Sequence, residues 1–165
     1  MSQDRVNFMA RVPHRFDIRE CQEFFTLFAR FEYSMKIVGI RRAKKSGAIE
    51  ADWSELARRV DSPLSASNNP ALKEACAYLL ETPPKRQDLI KGEITWREVP
   101  AGKGSDSADL FTYICRVRNN IFHGGKFRGM QLADPERSSE LMRHSRTVLH
   151  AVLDFIPELR EAFHG

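Results

Sequence analysis

The sequence predicts an all-α protein, a helical bundle of about five helices with a short irregular or β-like insertion. Apolar residues recur every three or four positions over several long stretches, which is typical of helices with one buried face. Two pairs, Asn69-Pro70 and Asp134-Pro135, join a capping residue to proline, as at the start of many helices. The 165 residues suffice for one domain with its own core, and we assign residues 1–165 to it.

The first helix is predicted from about Ile18 to Val38, with Asp17 as its cap, after a lead-in of residues 1–16. Its core-facing stripe, widened by Phe25 and Leu27, consists of Phe24, Phe28, Phe31, Met35 and Val38. Glu32 and Lys36 are four residues apart with the acid first, and this spacing favours a surface ion pair.

Gly39 ends the first helix, and a basic connection follows that we expect to be a solvated loop, with contacts to phosphates as the alternative. Residues 48–52 have an extended pattern, and the apolar spacing from Trp53 to Val60 predicts a short helix. Asn69 then caps a helix that runs to about Leu80, before Pro83-Pro84.

Residues 85–106 are the least regular part of the chain. Glu93–Val99 alternate weakly and predict a short strand or an extended flap. Ser107 or Asp106 is expected to cap the next helix, whose apolar stripe is Leu110, Phe111, Ile114 and Val117. The last long helix begins near Asp134 and runs to Pro157, with a short tail helix after it.

Composition excludes several classes of protein and leaves the function open. The net charge of +4 favours an anionic partner only weakly. Three separated cysteines, without a CxxC pair, predict neither a disulfide framework nor a zinc site, and the histidines have no metal-ligand spacing. No phosphate-binding loop, dinucleotide fingerprint or nucleophile elbow is present, so we predict no cofactor. Residues 1–13 lack the apolar region of a signal peptide, and the expected location is the cytoplasm.

Polar side chains concentrate at the end of the helix that begins near Ser107. Within eleven residues the chain places Arg116, Arg118, Asn119, Asn120, His123 and Lys126. Gly124-Gly125 interrupt this group and are well suited to ending a helix. Burying so many donors and charges would require a partner for each of them, so the cluster predicts a site.

Helical geometry groups these residues further. At about 100° per residue, Asn119 and His123 are neighbours and Arg116 lies on the same side, one turn earlier. Arg118 is oblique to His123 but reaches the same region with its long side chain. The electrostatic alternative is that cations near a helix C-terminus simply stabilise its dipole. Two further Arg–His spacings, Arg137 with His144 and Arg143 with His150, lack the asparagines and glycines.

Arg118-Asn119-Asn120-Ile121-Phe122-His123 resembles the Arg-polar-x-x-x-His signature of HEPN-domain proteins. The continuation Gly124-Gly125-Lys126 and the first-helix segment 27–36 are similar to a bacterial branch of that superfamily. The resemblance covers about residues 18–157, with the middle the poorest match. It implies an all-α fold, in many members a metal-independent endoribonuclease, and a homodimer in which two motifs face each other.

The residue types suit that chemistry. RNA cleavage without a metal needs one proton removed from the 2′-hydroxyl and one delivered to the leaving oxygen, and His serves both near neutral pH. We therefore expect His123 to be the general acid/base, Arg118 to stabilise the phosphate, and Asn119 to orient. Arg116, Asn120 and Lys126 are expected to support substrate binding, or to be structural.

Three functions remain open from the sequence. The first is a HEPN-type ribonuclease that acts on RNA as a toxin or defence effector. The second is a catalytically inactive HEPN-like module that binds nucleotide, RNA or a protein partner. The third is a toxin-like domain held silent by an antitoxin protein.

Overall fold

The computed structural model describes residues 18–123 and 134–165, and the backbone at 127–128 and 131–132. The predicted lead-in, its cap Asp17, and Lys126 lie outside this described part. The helices are α1 (Ile18–Ile37), α2 (Trp53–Ala66), α3 (Pro70–Glu81), α4 (Asp106–Phe122), α5 (Pro135–Phe155) and α6 (Pro157–His164). Antiparallel hairpins join β1 (Arg41–Ala43) to β2 (Ile49–Ala51), β3 (Arg86–Ile90) to β4 (Glu93–Arg97), and β5 (Phe127–Arg128) to β6 (Gln131–Leu132). The predicted helical bundle with a small β insertion is confirmed.

Helix α1 supplies much of the core, as its apolar stripe predicts. Phe24, Phe31 and Met35 are completely buried, whereas Val38, just past the helix end, is half-buried. The indole of Trp53, at the start of α2, stacks on the Phe31 ring with centroids 5.9 Å apart. Helices α4, α5 and α6 pack around α1. The two long helices that the sequence predicted, α1 and α5, therefore each contribute one face to a single core.

The predicted caps of α3 and α5 are present. The side chain of Asn69 accepts two backbone N–H groups from the first turn of α3, and Asp134 accepts one at the start of α5. The cap of α4 differs from the prediction, because Ser105 takes this position and its hydroxyl accepts an N–H. Ser107 instead donates a hydrogen bond to Asp61 on α2, at 2.5 Å. That bond fixes the start of α4 against a neighbouring helix.

Two middle segments also differ from their predictions. The basic connection forms the β1–β2 hairpin, in which Glu50 pairs with Arg42 at 2.5 Å and Lys44 at 2.7 Å. These two cations, Lys44 most, lower the pKa of the Glu50 carboxyl. Helix α2 is longer than expected, since it continues through Pro63 to Ala66.

The β3–β4 hairpin is the most regular part of the insertion. Strand β4 matches the predicted strand near residues 93–99, but its partner β3 lies in a segment for which the sequence predicted no strand. The strands are joined by Lys91 and Gly92, both with positive φ, as a two-residue hairpin turn requires. The hairpin lies against α4, beside the predicted site. No helix of the described part of the chain is long and apolar enough to cross a membrane.

Candidate functional site

Helix α4 positions the predicted site through its buried stripe. Leu110, Phe111, Ile114 and Val117 are each at most 2% exposed, so the opposite side of α4 faces outward. The helix ends at Phe122, and His123 caps it, its backbone N–H donating to the Asn119 carbonyl at 3.0 Å. Packing of the stripe therefore fixes where the last turn and its polar side chains lie.

Arg118 is held on the side of α4 that faces α1. Its Nη1 donates to the Oδ1 of Asn119 at 2.8 Å, and its Nη2 lies 3.5 Å from the Oε2 of Glu32. The guanidinium also lies over the Phe28 ring, 5.0 Å from the centroid. Because the Arg118 side chain is still 29% exposed, part of this positively charged fork faces solvent. The cation is positioned in advance and remains accessible.

Glu32 contacts Arg118 in the candidate site, and this contact could not be predicted from the sequence. Its Oε1 accepts the indole N–H of Trp53 at 3.3 Å, while Oε2 faces Arg118. The spacing to Lys36 predicted a surface ion pair, but Glu32 turns to residues distant in the sequence. No local pattern indicates these contacts, since Trp53 and Arg118 lie on other helices. Nothing in the sequence distinguishes Glu32 from Glu20 and Glu23, the other acids of α1.

A cleft of about 270 Å³ opens between α1 and α4. Its walls are Phe25, Phe28, Ala29, Glu32, Arg118 and Phe122. Phe122 is 64% exposed and meets the Phe25 ring edge to face, with centroids 5.5 Å apart. The ring of His123 meets Phe122 in the same manner at 5.3 Å, and His123 is exposed. The predicted acid/base is thus exposed and contacts Phe122, one wall of the aromatic cleft that contains the Arg118–Glu32 pair.

Arg116 and Asn120 face the other side of α4 and anchor the β3–β4 hairpin. The Nη1 of Arg116 donates to the carbonyls of Pro84 and Val99, at 3.1 and 2.7 Å, one on each side of the hairpin. The side-chain amide of Asn120 donates to the Lys85 carbonyl at 2.8 Å. Burial lowers the pKa of the Arg116 guanidinium. Helical geometry alone placed Arg116 on the same side as Asn119 and His123. Its side chain instead turns to the hairpin, so this expectation is wrong.

On the C-terminal helix α5, Arg137 and His144 both contact Tyr78 of α3, whereas His150, the partner of Arg143 in the other spacing, is exposed. His144 is 2% exposed and stacks on the Tyr78 ring at 4.2 Å. Arg137 donates to the Tyr78 hydroxyl and to the backbone carbonyl of Thr82, which ties α5 to the end of α3. Burial lowers the pKa of His144, and the positive charge of the adjacent Arg143 lowers it further by a smaller amount. A buried histidine that resists protonation suits packing.

The cysteines do not extend the site. Cys115 lies on α4 close to Glu32 and Arg118, and burial, reinforced by Glu32, raises the pKa of its thiol to about 12. Burial raises the pKa of Cys76 to about 11. A nucleophilic cysteine needs the opposite shift. Within the described ranges, no three His, Cys, Asp or Glu side chains are placed to share a metal ion.

Comparison with known proteins adds no relative to this description. No family model matches the chain. No curated protein and no solved structure gives a significant match either. A function for this chain therefore has to be inferred from its motif and from the geometry of its residues.

Proposed function

We propose that this chain is a metal-independent endoribonuclease of HEPN type, acting as a toxin or defence effector. The observation that carries the proposal is the last turn of α4, where an exposed His123 follows Asn119 and Arg118, and Arg118 lines an open cleft. His144 is covered by packing, and the exposed His164 has no arginine of a cleft before it, whereas His123 is exposed and follows Arg118, which lines the cleft. Here the imidazole and part of the guanidinium are accessible to an RNA strand.

The proposed reaction is transesterification at phosphorus. One imidazole takes the proton of the 2′-hydroxyl, and the freed 2′-oxygen attacks the adjacent phosphorus. The bond to the 5′-oxygen breaks, and an imidazolium protonates that oxygen as it leaves. Arg118 stabilises negative charge on the non-bridging oxygens, and Asn119 holds the guanidinium through its 2.8 Å hydrogen bond. The products are a 2′,3′-cyclic phosphate and a 5′-hydroxyl.

Two proton transfers are supplied most simply by two copies of the chain, and we propose a homodimer with a composite active site. One chain brings a single histidine, His123, to the end of α4 among the described residues. Tyr33 and Ile37 lie one turn apart on the outer side of α1 and are 65% and 52% exposed. Such an apolar surface on the helix that borders the cleft supports association of two copies there.

The chain offers a matched pair of histidines for testing the catalytic assignment. His164 is exposed near the end of α6 and meets the preceding Phe163 edge to face at 5.2 Å, as His123 meets Phe122. We expect His123→Ala to lower the rate of RNA cleavage in EDTA by at least about a hundredfold, the size typical of general acid–base catalysis. His164→Ala should cleave like the wild type. Equal rates in both variants would refute the role of His123.

A second candidate function, a non-catalytic module that binds a protein partner, is favoured by the tip of the β3–β4 hairpin. Leu89 and Ile94 pair directly across the strands and are 74% and 71% exposed. An exposed apolar pair is a suitable contact for another protein, including an antitoxin that keeps a nuclease silent. If the folded protein leaves the length of RNA unchanged in every buffer, the nuclease is refuted and this second function replaces the first.

A further inference from the structure

The α1–α4 cleft has the composition of a site for one flat aromatic ligand. Three of its walls are phenylalanine rings, and its volume of about 270 Å³ is below that of most pockets for drug-sized molecules. Ala29 leaves one side of the cleft without a large side chain. Phe122 is 64% exposed, and single-stranded RNA bases commonly stack on exposed aromatic rings.

The polar groups of the cleft restrict which base fits. The carboxylate of Glu32 acts only as an acceptor, with about four lone-pair directions on two oxygens. Trp53 uses one direction on Oε1, and Arg118 lies beside Oε2, so acceptor capacity remains on both oxygens. A carboxylate of this kind pairs best with a base edge that presents two adjacent N–H donors.

Guanine alone among the four RNA bases meets this requirement. Its Watson–Crick edge carries N1–H and the N2 amino group side by side, with the O6 acceptor next to them. Adenine, cytosine and uracil each place an acceptor next to their donor, which would face the Glu32 carboxylate with like partial charge. The adjacent Arg118 provides N–H groups for O6, and arginine is the usual partner of guanine acceptors.

We propose that the α1–α4 cleft binds a guanine base, stacked on Phe122 and recognised through its N–H edge by Glu32. This inference rests on the proposed function where the guanine belongs to an RNA substrate, and it gives that nuclease a base preference. Arg118 then lies between the bound base and the scissile phosphate, and Trp53 holds Glu32 in place. Free guanine nucleotide has the same recognition chemistry and is the other source of the base.

Binding, measured apart from cleavage, tests this proposal. Four 2′-O-methyl hexanucleotides, which cannot be cut, carry a single G, A, C or U in an otherwise uniform abasic backbone, and fluorescence anisotropy gives each affinity. We expect the G-containing strand to bind about tenfold more tightly than the others, the value of one good base contact. Equal affinities for the four strands would overturn the proposal. Loss of RNA cleavage with the G preference retained would refute only the nuclease.

Glu32→Gln is the most informative variant. The amide keeps an acceptor for Trp53 but replaces the other acceptor with a donor, and glutamine pairs with adenine through one donor and one acceptor. The expected result is loss of the G preference and tighter binding of the A-containing strand. A uniform loss for all four strands would assign Glu32 to positioning Arg118 alone and refute base recognition.

Two further variants keep the test independent of folding. Phe122→Leu removes the stacking ring at an exposed position and should weaken all four strands by about fivefold or more. Ala29→Trp, also at an exposed helical position, should block the cleft without removing any polar group. Unchanged binding in both folded variants would overturn the proposal. Guanosine monophosphate that binds as tightly as the G-containing hexamer would identify free nucleotide as the ligand.

Discussion

Replacing Arg116 with methionine tests whether this residue anchors the β3–β4 hairpin or contacts the substrate. Its guanidinium donates to the carbonyls of Pro84 and Val99, and hydrogen bonds from a charged donor contribute about 1.5–3 kcal/mol each. Because the side chain is only half-buried, water replaces part of this energy in the variant. We expect the local stability of the hairpin to fall by about 2 kcal/mol, less than the sum of the two bonds.

Hydrogen exchange followed by mass spectrometry measures this change directly. A loss of about 2 kcal/mol increases the exchange rate of amides in residues 86–97 about 30-fold, since 1.4 kcal/mol is a factor of ten. Arg118→Met is the matched control, because Arg118 contacts Glu32, Asn119 and Phe28 and not the hairpin. If hairpin exchange in Arg116→Met equals that of the wild type while RNA binding is lost, the anchor interpretation is wrong.

Three other predictions concern stability and reactivity. Asn69→Ala removes the cap of α3 and should lower the free energy of unfolding in urea by about 1 kcal/mol, whereas Asn68→Ala, one residue earlier, should lower it less. Because burial lowers the pKa of His144, the unfolded chain takes up its proton first as pH falls below about 6.5. The free energy of unfolding should therefore decline between pH 7 and 5, and decline less in His144→Gln; parallel curves would contradict this. Cys76 and Cys115, with pKa values raised to about 11 and 12, should react with iodoacetamide at pH 8 at least about a hundredfold more slowly than after unfolding, as mass spectrometry will report.

The helical elements were predictable because their signals are local. The spacing of Leu110, Phe111, Ile114 and Val117 identified the buried side of α4, and Asn69 marked the start of α3. Strand β3 gave no such signal, because its residues are mostly exposed on both faces and so lack the alternation that marks a half-buried strand. The hairpin is held by backbone carbonyls that no side-chain pattern reveals.

The polar cluster was predictable from the sequence, but which of its residues line the cleft and which anchor the hairpin was not. Arg116 and Arg118 are separated by about 200° around the helix, so they face different neighbours. Which of the two lies at a cleft depends on where the hairpin and α1 pack against α4. The same is true of Glu32, whose partners lie 21 and 86 residues away. These contacts are tertiary, and helical periodicity contains no information about them.

The chemistry at the newly formed RNA ends tests the proposed nuclease most directly. Wild-type protein is incubated with a defined single-stranded RNA in EDTA, and the fragments are weighed by mass spectrometry. Attack by the 2′-hydroxyl, assisted by His123, predicts fragments that end in a 2′,3′-cyclic phosphate and begin with a 5′-hydroxyl. Fragments that instead carry a 5′-phosphate and a 3′-hydroxyl, or RNA that remains intact, would contradict the mechanism.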